Sequence, residues 1–248
     1  MNVIYIMWLR QLKKYFRSKS RIIGSLGQPL LFLLALGYGL GSTFKAAGEG
    51  NYFAFLAPGI IAMTIIFTAI FSGIELIWDR QFGFLKETMV APVPRMNIMI
   101  GRTLGGATVA TMQGLIVFFI TLFFGFRPVN WALFPVLIIF MLLVALLFTA
   151  LGTAIASTLE DMQGFQLIMN FLVLPLFFLS GALFPLTGLP AVLAALVTVD
   201  PLSYGVDAFR SLLVNVATFG LGLDLAVLAV VTAACLVAGS YLFSRIEV

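Results

Sequence analysis

The sequence predicts an all-α membrane protein: six transmembrane helices, an amphipathic interfacial helix ahead of them, and an external re-entrant helical pair. Three observations predict it. Of 248 residues, 62% are hydrophobic and 10% are charged, against about 25% charged in an ordinary soluble domain. Six apolar runs are each long enough to cross a bilayer, which takes about 20 residues. The basic residues gather at the start of the chain and in one connecting loop, a distribution that in a membrane protein reports topology.

Residues 1–21 open the chain. Ile4, Met7, Trp8, Leu12, Tyr15 and Phe16 fall at helical spacing while Arg10, Lys13, Lys14 and Arg17 group elsewhere on the wheel, so an interfacial helix on the inner leaflet is expected. The first span, 22–42, follows. It is long enough to cross and has no A-x-A-like site at its end, so it reads as a retained helix rather than a signal peptide. The second span, 54–78, leads into a cytoplasmic loop, 79–101, whose short helical stretch over 82–90 is stopped by Pro92 and Pro94. Spans three, four and five are 104–126, 131–157 and 165–184. The external segment 185–220 holds two apolar pieces, 189–199 and 204–216, parted by Asp200 and Pro201. Each is too short to cross, so a re-entrant or interfacial pair is expected. The sixth span is 221–243, and with no repeat and no low-complexity linker the chain 1–248 reads as a single transmembrane domain.

An even number of spans puts both termini on one side. With the N terminus inside, the cytoplasmic segments hold Arg10, Lys13, Lys14, Arg17, Lys19, Arg21, Arg80, Lys86, Arg95, Arg102 and Arg245, and the external ones only Lys45, Arg127 and Arg210. The positive-inside rule then places both ends in the cytoplasm, with the chain multi-pass in the cell's inner membrane.

Composition also excludes chemistry. There is no His and a single cysteine, Cys235, inside an apolar run, so neither a zinc or haem site nor a Cys-His nucleophile can be assembled, and no disulfide forms within one chain. No catalytic residue is assigned. No Gly-Lys dipeptide occurs, so a Walker loop is absent and the chain does not hold ATP in that way. The +4 charge is too clustered to suggest a nucleic-acid partner, whereas membrane lipids are expected ones. Glu75 and Asp224 are the ionisable candidates inside spans, and both are expected to be interfacial groups reaching water.

Aromatic residues cluster on the third span (Phe118, Phe119, Phe123, Phe124) and the fifth (Phe165, Phe171, Phe177, Phe178, Phe184). They serve either as packing and lipid contact or as a greasy substrate route, in which Phe118 and Phe177 would line the path and Gln113, Gln166 and Asn170 would orient the cargo. The pairs Gly37–Gly41 and Gly101–Gly105 have the spacing of close helix contacts; the second is expected to serve local packing beside the loop, and the first to sit at a helix end.

The loop run Asp79, Arg80, Gln81, Phe82, Gly83, Phe84, Leu85, Lys86, Glu87, then Ala91, Pro92, Val93, Pro94, Arg95, and further on Gly101 and Arg102, resembles the cytoplasmic coupling segment of type-2 ATP-binding-cassette (ABC) exporter permeases. Ala91 departs from the usual small polar residue at its place. The later run of Ser180-Gly181, Phe184-Pro185-Leu186, Leu189-Pro190, Asp200 to Tyr204, and Asp207 to Arg210 resembles the external segment of the drug-resistance and nodulation-factor export branch. The resemblance implies a permease that moves an amphipathic or lipid-linked substrate (drug, glycolipid or polysaccharide) outward. It implies further a separate ABC ATPase subunit carrying the ATP and magnesium, no cofactor in this chain, and a second copy or a similar permease as partner. Arg80, Gly83, Phe84, Lys86 and Glu87 would then be the ATPase-coupling residues. Independently, a short polar helix bounded by prolines at the membrane surface can seat in a groove on a soluble partner and pass on its motion, where the alternative is a solvated connection. A secondary transporter would need intramembrane ionisable groups or broken helices, and a lipid-modifying enzyme a catalytic cluster at one membrane face; a non-transporting scaffold would need neither.

Overall fold

The computed structural model describes residues 3–39, 41, 52–90, 92–186, 188 and 190–246, without the side chain of Arg21. Lys45, Ala91, Leu189 and the end of the first predicted span at residue 42 lie outside the described residues. Those residues form helices α1 (Val3–Arg17), α2 (Lys19–Gly39), α3 (Tyr52–Phe71), α4 (Ile74–Gln81), α5 (Phe84–Val90), α6 (Arg95–Phe123), α7 (Phe134–Thr158), α8 (Met162–Leu179), α9 (Ala191–Val199), α10 (Pro201–Val214) and α11 (Leu221–Ser244). A single 3₁₀ turn, Trp131–Leu133, leads into α7, and the described residues include no strand. Among the described residues, six helices or helix pairs are long and apolar enough to cross a membrane: α2, α3 with α4, α6, α7, α8 and α11. They coincide with the six predicted spans.

The core is built around α3. It packs on α2, α6, α7 and α10, and α7 packs most extensively on α11. Most of α3 is buried, whereas only a minor part of α2, α8 and α11 is.

The second span is not continuous. Residues 72 and 73 leave the helix, the Ser72 hydroxyl donating to the Ala69 carbonyl at 2.6 Å and the Gly73 amide to Ile70 at 3.0 Å. A Cβ on Gly73 would lie 2.5 Å from the Gly152 carbonyl oxygen, and one on Gly152 would lie 2.4 Å from that of Ile70. Backbone touches backbone here, which only paired glycines permit.

The third span likewise differs from expectation, because α6 starts at Arg95 rather than at 104. The polar residues Arg95, Asn97 and Arg102 broke the apolar run without breaking the helix, so the non-spanning connection shrinks to 82–94 around α5.

The helices α9 and α10 meet at an 84° bend. Asp200 is extended and accepts the Leu202 amide at 2.8 Å, with Pro201 in the first turn of α10. The proline has no amide to lose there.

Glu75 and Asp224 correct the expectation of water-reaching groups. Glu75 is 5% exposed and accepts from Lys14 Nζ at 3.2 Å, and Asp224 is fully buried. Both lie near helix ends, but neighbouring helices cover them.

Candidate functional site

The leading helix is seated by glycines. A Cβ on Gly101 would lie 2.7 Å from the Ile4 carbonyl and from Met7 Cβ, and one on Gly105 would lie 2.6 Å from Gln11 Cβ. This pair therefore receives α1 in a groove of α6, a longer-range role than packing beside the loop. Met7, Gln11 and Tyr15 are buried in that groove, and Trp8 Nε1 donates to Thr108 Oγ1 at 3.1 Å. The predicted apolar stripe thus divides: Met7 and Tyr15 face protein, while Phe16 remains exposed along with Tyr5 and Ile6.

That seating aims the basic edge of α1 at the acids of α4. Arg10 makes a bidentate pair with Asp79, at 2.9 and 3.0 Å, and Arg102 Nη1 donates to the same carboxylate at 2.6 Å. Asp79 and Arg102 are both buried, at 6% and 4% exposure. One carboxylate therefore fastens α1, α4 and α6 together. The Arg10 guanidinium also lies 3.8 Å from the centre of the Phe84 ring, so the first residue of α5 stacks on the same node.

Gly83 sets the direction of α5. Its φ of +79° lies in the left-handed region that side chains disfavour. The turn lets α5 leave α4 with Leu85 buried and Lys86 and Glu87 exposed. Arg80 donates to Glu160 at 2.7 Å, but the Glu160 side chain is 79% exposed, so that pair adds little. Arg80, Gly83, Phe84, Lys86 and Glu87 thus share the end of α4 and α5, around one node. Phe84, Arg10 and Asp79 form a continuous chain of contacts from α5 to Arg102 of α6.

The five residues considered for a substrate route do not converge in this chain. Gln113 is buried where α1, α2 and α6 meet, donating to the Tyr15 hydroxyl at 3.0 Å and accepting from Ser25 at 2.9 Å. Phe118 is buried among Phe119, Trp131 and Phe134. Phe177 is buried on α8, whereas Gln166 and Asn170 lie one turn apart on its exposed face. The node residues Arg10, Asp79 and Arg102 were not among the predicted site residues. The signal that finds them is a charged side chain at the end of an apolar span, which needs a partner.

At the other end, the Asp207 carboxylate accepts the amides of Thr218, Phe219 and Gly220, at 2.7, 2.8 and 3.3 Å, holding the start of α11. Arg210 donates to the Gly181 carbonyl at 2.8 Å and lies 4.1 Å from the centre of the Phe55 ring. Burial pushes the Asp200 carboxyl up to about 7, against the Leu202 amide and Ser203 hydroxyl that favour its anion. These contacts fix the re-entrant pair onto α3 and α11.

Comparison with known proteins adds the remaining findings. The family described as "ABC-2 type transporter" matches residues 2–214. The ycf38 protein of Pyropia yezoensis is 31% identical over 212 residues, covering 82% of this chain and 71% of that protein. Nodulation protein J of Rhizobium leguminosarum bv. trifolii is 28% identical over 213 residues, 85% of this chain and 78% of that one. The inner membrane transport permease YadH of Escherichia coli K12 is 27% identical over 210 residues, 82% of this chain and 80% of that one.

Proposed function

Because the chain belongs to the ABC-2 type transporter family, and is a multi-pass membrane transport permease of that type, we propose that it carries an amphipathic or lipid-linked substrate (drug, glycolipid or polysaccharide) outward. ATP hydrolysis on a separate ABC ATPase chain, which holds the ATP and magnesium, supplies the work. The chain acts in the inner membrane beside a second copy or a similar permease, with both termini in the cytoplasm. The observation that carries this reading is the node at Asp79. It joins an exposed surface helix, α5, to the leading helix and two spans through buried ionic and cation-π contacts. A solvated connecting loop needs no such anchorage. Phe82 and Val90, exposed at either end of α5, supply apolar contact for a partner groove beside the charges of Lys86 and Glu87.

Three expected results test the reading. Reversing Glu87 to Lys leaves the fold intact, since its side chain is exposed, but weakens docking of the ATPase by about 2–5 kcal/mol where the charge is buried at an interface. Phe84→Ala removes the ring on which Arg10 stacks and uncouples ATP hydrolysis from export. Purified variants are assayed for thermal stability, ATPase co-purification and substrate export. Stable variants with full binding and export would overturn the coupling role of α5. For topology, single cysteines at Lys86 and Val216 in a Cys235→Ser background, treated in intact cells with an impermeant thiol reagent, should label at 216 and not at 86. The reverse pattern would place the termini outside.

A further inference from the structure

Thr64 and Thr68 of α3, Ser72 in the break and Glu75 of α4 succeed one another at intervals of four, four and three residues, and the last three line one small cavity. This polar stripe rises from Glu75 at the cytoplasmic end to Thr64 partway along α3. Facing its upper part are Tyr15 of α1, Ser25 and Gln28 of α2, and Gln113 of α6, and between them lies a cavity of about 190 Å³. Pockets for whole drug-sized ligands run from about 300 Å³ upward, so this one has room for a head group and not for a complete amphipathic molecule.

The lining decides which head group. None of its described side chains is charged, and an ionic head brought to this depth would be left unpaired at high cost. Hydrogen-bonding capacity is left over, however. Gln28 and Thr68 make no side-chain hydrogen bond among the described residues, unlike Gln113, which is held by Ser25 and Tyr15. Pro29 lies within α2 and has no amide to give the Ser25 carbonyl, which so lacks its usual helical donor. Met63, Phe67 and Phe71 form the apolar wall.

The cavity also has a mouth. Gly24 lines it, is exposed, and has no atom within 4 Å of where a Cβ would stand. An aliphatic chain can leave past this glycine without displacing protein.

We propose that this cavity seats the uncharged, hydroxyl- or amide-bearing head of an amphipathic molecule whose tail passes Gly24 into the bilayer. That the occupant is cargo rests on the transport reading above, whereas the binding chemistry stands on the cavity alone.

The test uses the full chain in phosphatidylcholine nanodiscs and three photoactivatable probes of equal chain length. One carries a glucose head, one a phosphate head and one no head, each with a diazirine at the first chain carbon. Labelling is mapped by peptide and compared in wild type, Gly24→Leu and Gln28→Leu. Gly24→Leu blocks the mouth at a position with open space and replaces a poor helix former with a good one, so folding is retained. The glucoside should label residues 22–29 and 63–71 about tenfold more than the headless probe, and each substitution should reduce that labelling about fivefold or more, as loss of a hydrogen bond or of access implies. Equal labelling by the headless probe, stronger labelling by the phosphate probe, or indifference to Gly24→Leu would each overturn the proposal. These results are independent of ATPase docking: normal glucoside labelling together with fully functional Glu87→Lys and Phe84→Ala variants would remove the coupling reading and leave the cavity, and the converse would remove the cavity alone.

Discussion

Replacing Asp79 with alanine is expected to destabilise the chain by about 3–5 kcal/mol, the cost of removing one partner from a buried ion pair. Arg102, only 4% exposed, would lose its carboxylate and remain in place with its charge uncompensated. Its second guanidinium nitrogen already has no hydrogen-bond partner among the described residues, so none of them offers an acceptor ready to replace Asp79. Arg10 is less constrained, since its side chain is 26% exposed and can turn to water. The measurement is thermal unfolding of the purified protein in detergent, compared with an Asp79→Leu, Arg102→Leu double variant. The double variant should recover much of the loss, because an apolar pair of similar volume removes the desolvation cost along with the attraction. It should nevertheless fail to couple α5 to the spans, so stability and transport part company in it. An Asp79→Ala protein that melts with the wild type would show that the node contributes nothing to holding α1, α4 and α6 together.

The spans were legible because each is a long apolar run, a signal carried by neighbours in the chain. The re-entrant pair was legible for a related reason: Asp200 and Pro201 interrupt two runs that are each too short to cross. The node at Asp79 was only half visible. The residues of α5 stood out by motif, but their anchorage depends on Arg10 meeting Asp79, two residues 69 positions apart, and nothing local to either names the other. Gly101 and Gly105 were visible as a spacing, yet the helix that fills them, α1, is decided by tertiary packing. Asp224 was misjudged for the same reason. Its place at the start of α11 suggested water, and only the packing of α10 and α7 over α11 buries it. The break at Ser72 and Gly73 had a local cue in the Ser-Gly pair itself, but the helix it meets through Gly152 is decided by tertiary packing.

That break sets up a large steric effect. A glycine inside an exposed helix is normally worse than alanine by about 1 kcal/mol, so Gly→Ala there should stabilise. Gly27 of α2 is such a position, with nothing within 4 Å of a Cβ, and Gly27→Ala is expected to raise the melting temperature slightly. Gly152 should invert the sign. A Cβ there would stand 2.4 Å from the Ile70 carbonyl oxygen, 3.0 Å from its Cα and 3.1 Å from its carbonyl carbon, all of them backbone, which cannot rotate away as a side chain can. Either α7 must move off α3 or the bend at residues 72–73 must change, and overpacking of this kind costs about 1–3 kcal/mol for a single added group and more for a branched one. Gly152→Val should therefore destabilise more than Gly152→Ala, and both more than any substitution at Gly27. Because α4 continues from this bend into the Asp79 node, the same variants should also weaken ATPase coupling, measured as substrate export per ATP hydrolysed. Equal melting temperatures for Gly152→Val and Gly27→Ala would contradict the close crossing, and with it the explanation offered for the broken second span.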